Sequence, residues 1–381
     1  MNNINTTNWL NPPNNRWSFK NMSSLFRTVK LSKSQDPYII PQNLTNLESF
    51  EFNGLEGTVT IREMLNSSYT DAFIVLKDNN IIFEEYQNET REDSLHLMNS
   101  VSKSFVGMLI GILEEKQKLN SKDKLRKYIP ELQNSAFKET SIQHALDMTA
   151  AVKFSENYLD PSSEFWHEAA VVNWRQDLRE RNSPKTLLEF MANLKETSQK
   201  EFEIFDYRTV LTNILALAAE RSCETKFQNL LQTYIWDKLK AEYESHIVSD
   251  ESDFPYMGAG MNASARDLAK FGLMLMNDGA FNNEQIVPKN WIKSTLEGSI
   301  EHKDIFLKSE YGLRLPGFHY KNQIWVGNPE TMICIGIYGQ AIYVDQKNKV
   351  VIVKLSSHPE PDNELLLGNT FLGIAALSEN I

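Results

Sequence analysis

The 381-residue sequence predicts an α+β fold, in which an antiparallel sheet is built from both ends of the chain and flanked by helices, with a mainly helical lobe inserted between them. Two β-rich hairpin signals near opposite ends and a run of helical patterns between them carry this prediction. The first hairpin spans 71–77 and 81–86 around Asp78-Asn79-Asn80, two β-branched and aromatic runs flanking a short polar turn. The second spans 332–344 and 349–355 around Asp345-Gln346-Lys347-Asn348, and strands from both ends are expected to share one sheet. Between them, helical spacing of apolar residues marks 103–118, 184–193, 210–220, 227–239 and 265–277. The last of these opens on Ser264 with Asp267 three residues on and stops at Asn277-Asp278-Gly279. The expected division is therefore an irregular arm over residues 1–49, a sheet lobe from 50–99 with 300–381, and a helical lobe from 100–299, with a site in the cleft between the lobes. The arm, rich in Asn, Ser and Pro, is expected to lie over the surface.

Composition narrows the function. Hydrophobic residues make up 41% and charged residues 23%, the balance of a globular chain with a packed interior. The formal net charge of −11 repels phosphate backbones and anionic membranes, and no Lys/Arg-rich stripe offsets it, so no nucleic-acid partner is expected. The apolar run 105–113 is far shorter than the roughly 20 residues that cross a bilayer. The start, MNNINTTNWLNPPNNRW, carries no apolar stretch behind a basic tip, so a cytoplasmic protein with no membrane association is expected. Cys223 and Cys334, the two cysteines, read as free thiols in apolar or mixed segments.

No GxSxG, HExxH, CxxC, Walker A or GxGxxG sequence is present, and the seven histidines are scattered, so no metal and no organic cofactor is expected. What remains is Ser100-Val101-Ser102-Lys103, an S-x-x-K sequence. The same spacing recurs at Ser121/Lys124 and Ser135/Lys138, so spacing alone decides nothing. Ser100 alone stands directly before a strongly apolar helix, FVGMLIGIL, in which Phe105, Val106, Leu109, Ile110 and Leu113 turn inward. Free backbone N–H groups and the dipole at that helix start favour the negative charge of an acyl-transfer oxygen. Lys103, on the same face of the helix, can reach the Ser100 hydroxyl, and in a dry cleft its ammonium would lose its proton more readily. A plain N-cap serine beside a solvated lysine is the competing reading. In EIFDYRT a further short segment delivers Tyr207 and Thr209 ahead of the apolar helix from Val210.

The ordered segments MNSVSKSFVG, LDMTAAVKFSENYLDP, FDYRTVLTNILA, GMNASARDLAKFG, IGIYGQAIYVD and VIVKLSSHPEPD resemble the 6-aminohexanoate-dimer (nylon-oligomer) hydrolases, within the class C β-lactamase and DD-peptidase superfamily. The likeness runs from about residue 70 to the end, with NRWSF at 15–19 as an outlying match. The resemblance implies a β-lactamase-like fold with Ser100 as nucleophile, Lys103 as its base and Tyr207 as a second proton carrier. It places the oxyanion hole at the backbone N–H groups of Ser100 and Ile337, with Gln340 as the alternative to Ile337. It sets Tyr158 beside a substrate amide nitrogen, and Trp174, Trp325, Thr209 and Gly336 around the substrate.

Two departures bear on the substrate. The sheet-edge Lys-Thr-Gly of β-lactamases is replaced by Cys334-Ile335-Gly336, and Tyr-x-Asn by Tyr207-Arg208-Thr209. The expected activity is accordingly a serine hydrolase acting on small-molecule esters or amides. The rivals are a β-lactamase or DD-peptidase and a ligand sensor without turnover. The natural substrate is not legible, and the oligomeric state is open, a homodimer included.

Overall fold

The protein is described by a computed structural model over residues 4–328 and 331–381. Its main sheet has seven antiparallel strands: β1 (Thr70–Lys77), β2 (Asn80–Tyr86), β3 (His319–Lys321), β4 (Ile324–Asn328), β5 (Thr331–Gly336), β6 (Gln340–Asp345) and β7 (Val350–Ser356). Their order is β3-β4-β5-β6-β7-β1-β2, so β7 pairs with β1 and joins the two ends of the chain as expected. The first hairpin closes through two residues, Asp78 and Asn79, with φ of 48° and 66°. Both are in the left-handed region that a tight hairpin turn needs and that Asp and Asn tolerate.

The run 332–344, read from the sequence as a single strand, is instead two strands, β5 and β6, reversed at Ile337-Tyr338-Gly339. Tyr338 and Gly339 have φ of 64° and 89°. Apolar Ile337 and Tyr338 continue the strand-like pattern through the turn, which hid the reversal from a reading based on periodicity.

The N-terminal arm also differs from expectation. Trp9, Phe19 and Met22 are buried, and Thr28–Leu31 pairs antiparallel with Ser245–Val248 in a second sheet completed by Met261–Ala263 and His96–Leu97. Asn15 donates its side-chain amide to the His358 carbonyl at 2.7 Å, and the Phe19 ring meets Tyr338 edge-on at 5.4 Å. The scattered aromatics of this Asn-rich segment are thus core anchors, and the arm props the Ile337–Gly339 turn from behind.

The helix Ser102–Glu115 is buried on every side from Ser102 to Leu113. Its Phe105 stacks on Phe271 of the helix Ala265–Met276 at 3.8 Å, and that second helix lies on the sheet. Each such fully buried Phe, Leu or Ile contributes about 1.5–3 kcal/mol over an exposed one, so the platform beneath Ser100 is rigid. The predicted helix at 227–239 narrows to Phe227–Leu231 followed by a wider π turn over Gln232–Trp236. The C-terminal helix Glu364–Asn380 was not foreseen from the apolar pattern; it packs across the strand Glu51–Gly54. Both cysteines are free thiols, and among the described residues no helix is long and apolar enough to cross a membrane.

Candidate active site

Ser100 lies in a single 3₁₀ turn, Asn99–Val101, that feeds directly into the buried helix Ser102–Glu115. Asn99 adopts a left-handed φ of 47°, and the Ser102 hydroxyl donates to the Asn99 carbonyl at 2.6 Å, fixing the turn. The other two S-x-x-K serines are occupied elsewhere. Ser121 Oγ donates to Glu114 at 2.9 Å and Ser135 Oγ to the Leu132 carbonyl at 2.8 Å.

Lys103 Nζ donates to Ser100 Oγ at 2.7 Å and to the Gly258 carbonyl at 2.6 Å, in a pocket where the lysine is 1% exposed. Burial pushes its ammonium down to about 8, against the partly opposing charges of Glu156 and Glu168. The Tyr207 hydroxyl lies near enough to Ser100 for the serine to bear on the phenol's ionisation, and Lys103 Nζ lies 5.0 Å from the centre of the tyrosine ring. Burial raises the Tyr207 phenol well above its ordinary range, so near neutral pH it is a neutral donor. Ser100, Lys103 and Tyr207, named from the sequence, are thus brought together.

Ser100, Tyr158, Tyr207, Tyr311 and Trp325 line a cavity of about 120 Å³ whose far wall is the end of β5 and the turn after it. Trp325 stacks on Tyr207 at 5.4 Å and packs beside Tyr311 at 5.3 Å, forming a rigid aromatic wall. Gly336 and Ile337 lie on the opposite wall, and the Asn99 side chain donates to the Ile337 carbonyl at 3.0 Å. Gln340, whose backbone N–H is the alternative to that of Ile337, is 1% exposed, and its side-chain amide donates to the carbonyls of Ile337, Tyr338 and Ser356.

Two expected substrate contacts fall elsewhere. Trp174 packs between Trp9 at 5.1 Å and Tyr256 at 5.3 Å, and borders a separate depression with Trp9 and Trp166. Its position before a loop gave no sign that the N-terminal arm would reach it. Thr209 is fully buried, and both its backbone N–H, at 2.7 Å, and its hydroxyl donate to Glu156.

Glu156 was not singled out in the sequence, although it stands two residues before Tyr158 in SENYLDP. Its carboxylate also accepts from the Tyr158 hydroxyl at 3.0 Å, which fixes the phenol's orientation. Burial raises the Glu156 carboxyl, while Lys103 and the Thr209 bonds pull it down. Tyr311 and Asp362, also on the cavity wall, lie in segments without any motif; only the fold brings them to Ser100.

The sheet edge approaches the Ser100 turn so closely that a Cβ on Gly336 would sit 2.5 Å from the Met98 carbonyl oxygen. Both partners are backbone and cannot rotate away. Gly336→Ala is therefore expected to destabilise the fold by about 1–3 kcal/mol and to lower turnover at least about 10-fold, because strand and turn must separate. Thermal unfolding and kcat measured together check this. An unchanged kcat would show that the spacing across the cavity is not critical.

A hydroxyl held between an amine of lowered pKa and a neutral phenol, at the mouth of a buried helix beside a sheet edge, is an arrangement suited to nucleophilic acyl transfer. The chain belongs to the Beta-lactamase family, whose sequence model matches residues 60–376, and it is a serine hydrolase of that family. It is 30% identical to the 6-aminohexanoate-dimer hydrolase of Paenarthrobacter ureafaciens over 357 residues, covering 93% of this chain and 88% of that protein. A solved Bacillus anthracis protein assigned as a 6-aminohexanoate-dimer hydrolase superposes with a TM-score of 0.89 at 27% identity, covering 100% of this chain and 98% of that one. EstCE1, described as a hydrolase with promiscuous acyltransferase activity, shares the fold with a TM-score of 0.61 at 15% identity, over 82% of this chain and 96% of its own.

Proposed function

We propose that the protein cleaves small linear amides or esters through an acyl-enzyme at Ser100. The observation that carries this reading is the 2.7 Å contact between Lys103 Nζ and Ser100 Oγ, with Tyr207 beside them on the same cavity wall. Ser100 Oγ attacks the substrate carbonyl while its proton passes to neutral Lys103. The backbone N–H groups of Ser100 and Ile337 hold the oxyanion. Tyr207, protonated and beside both partners, delivers a proton to the leaving amine or alkoxide and is resupplied from Lys103. Water then attacks the ester, and the same groups return the serine. The site lies where the sheet formed by the chain ends meets the central helices.

The substrate's acyl part would lie against Trp325 and Tyr311. A β-lactam carboxylate finds no sheet-edge cation, because Cys334 is buried and Ile335 and Gly336 face the cavity.

Tyr158 separates amide from ester chemistry. Its hydroxyl proton is committed to Glu156, so toward the cavity it offers a lone pair, which suits an amide N–H and has no partner on an ester. Tyr158→Phe should lower kcat/KM for a linear amide of 6-aminohexanoate roughly 10-fold or more, the size of one transition-state hydrogen bond of about 1.5 kcal/mol. Hydrolysis of a p-nitrophenyl ester should change much less. Equal losses on both substrates would assign Tyr158 to general pocket shape, and an absence of amide hydrolysis by the parent would leave a plain esterase.

A further inference from the structure

The reversal after β5 is an unfavourable piece of backbone. Tyr338 sits at a φ of 64°, a region that costs a residue with a Cβ, and Gly339 follows at 89°. Ile337, the first residue of this turn, is the one whose N–H faces the cavity in the mechanism above. Something must hold the turn in place.

One buried side chain gathers it. The Gln340 amide nitrogen donates to the carbonyls of Ile337 at 3.3 Å, Tyr338 at 3.1 Å and Ser356 at 2.7 Å, and its oxygen accepts from the Ser356 N–H at 3.0 Å. Two N–H groups shared among three carbonyls engage both donors of the amide, and its oxygen accepts a fourth bond. The anchor at the far end is β7, where Lys354 Nζ donates to the Ser356 hydroxyl and, at 3.4 Å, to the Ser68 carbonyl. From the opposite side Asn99, the neighbour of Ser100, donates to the same Ile337 carbonyl at 3.0 Å. The carbonyl is thus gripped from the Ser100 turn and from the sheet.

We infer that Gln340 is a positioning residue for the transition-state oxyanion: it sets the turn that carries the Ile337 N–H at its working distance from the Ser100 N–H without touching the substrate. The inference rests on the reading of Ser100 and Ile337 given above. The turn has other tethers, since the Tyr338 N–H donates to the Pro361 carbonyl at 2.9 Å and the His358 N–H to the Tyr338 carbonyl at 3.2 Å. Loss of the amide therefore loosens the donor while the chain stays folded.

The test compares Gln340→Met, close in length and without a donor, with the parent, using a p-nitrophenyl ester for turnover and phenylboronic acid as a tetrahedral probe. A displaced donor lowers kcat roughly 10-fold to 100-fold, leaves KM within about threefold, and weakens boronic acid inhibition in step with kcat. Gln340→Glu, which retains length and acceptor but not the donor, is read for the same quantities if the methionine variant does not fold. The inference is overturned if kcat of the Gln340 variants stays within about twofold of the parent, or if kcat falls while boronic acid affinity does not. If turnover by the parent survives Ser100→Ala, the reading of the site fails first; if it requires Ser100 and tolerates Gln340→Met, this inference alone fails.

Discussion

Ser100→Ala is expected to abolish turnover, with a loss of about 10⁴-fold or more in kcat, because among the described residues no second nucleophile contacts Lys103 Nζ, and the covalent route closes entirely. The fold should survive, since the removed hydroxyl fills no core position and the Gly258 carbonyl still accepts from Lys103. Ser121→Ala and Ser135→Ala serve as controls, their hydroxyls being committed to Glu114 and to the Leu132 carbonyl. A Ser100→Ala enzyme with a tenth of the parental rate would mean that the nucleophile lies elsewhere.

The second large effect concerns the two proton carriers. In the proposed mechanism Lys103, bonded to Ser100 Oγ, and Tyr207 beside it act as one relay, so removing either should cost about as much as removing both. Lys103→Ala and Tyr207→Phe are each expected to lower kcat about 10³-fold or more, with the double variant little worse. Additive losses would place them in separate steps. The relay also predicts a pH dependence. Lys103 must be neutral to accept the serine proton, and burial brings its pKa down to about 8. The neutral fraction grows as pH rises through that value, so kcat/KM should climb from pH 6 toward a plateau above about 8.5, and fall about tenfold per unit on the acidic side. A rate independent of pH over this interval would contradict a Lys103 that loses its proton near 8 as the base.

How far the sequence led depends on the range of the interactions involved. Ser100 and Lys103 stand within one helical turn ahead of an apolar helix, but an N-cap serine beside a solvated lysine fitted the same local sequence, so it was the ordered resemblance that assigned their roles. Tyr207, followed by Arg208 and Thr209 before the helix from Val210, reads locally as a packing residue, and only the resemblance gave it a role. The sheet formed by the chain ends was foreseen from its hairpins, yet the Ile337–Gly339 reversal was hidden because Ile and Tyr occupy turn positions. Trp174 was placed near the substrate, but its surroundings are decided by Trp9, 165 residues away in sequence. Tyr311, Asp362 and Gln340 belong to the same category: each acquires a role from partners that the chain brings together only on folding. Glu156 is the intermediate case, adjacent to a named tyrosine but chemically silent until Thr209 and Lys103 face it.

The claim on which the mechanism rests is that Ser100 is the activated serine. Intact-mass spectrometry after treatment with a fluorophosphonate, followed by peptide mapping, addresses it directly. The expected result is a single adduct on Ser100, formed by the parent and absent from Ser100→Ala. An adduct on another residue, or one that persists in Ser100→Ala, would contradict the account.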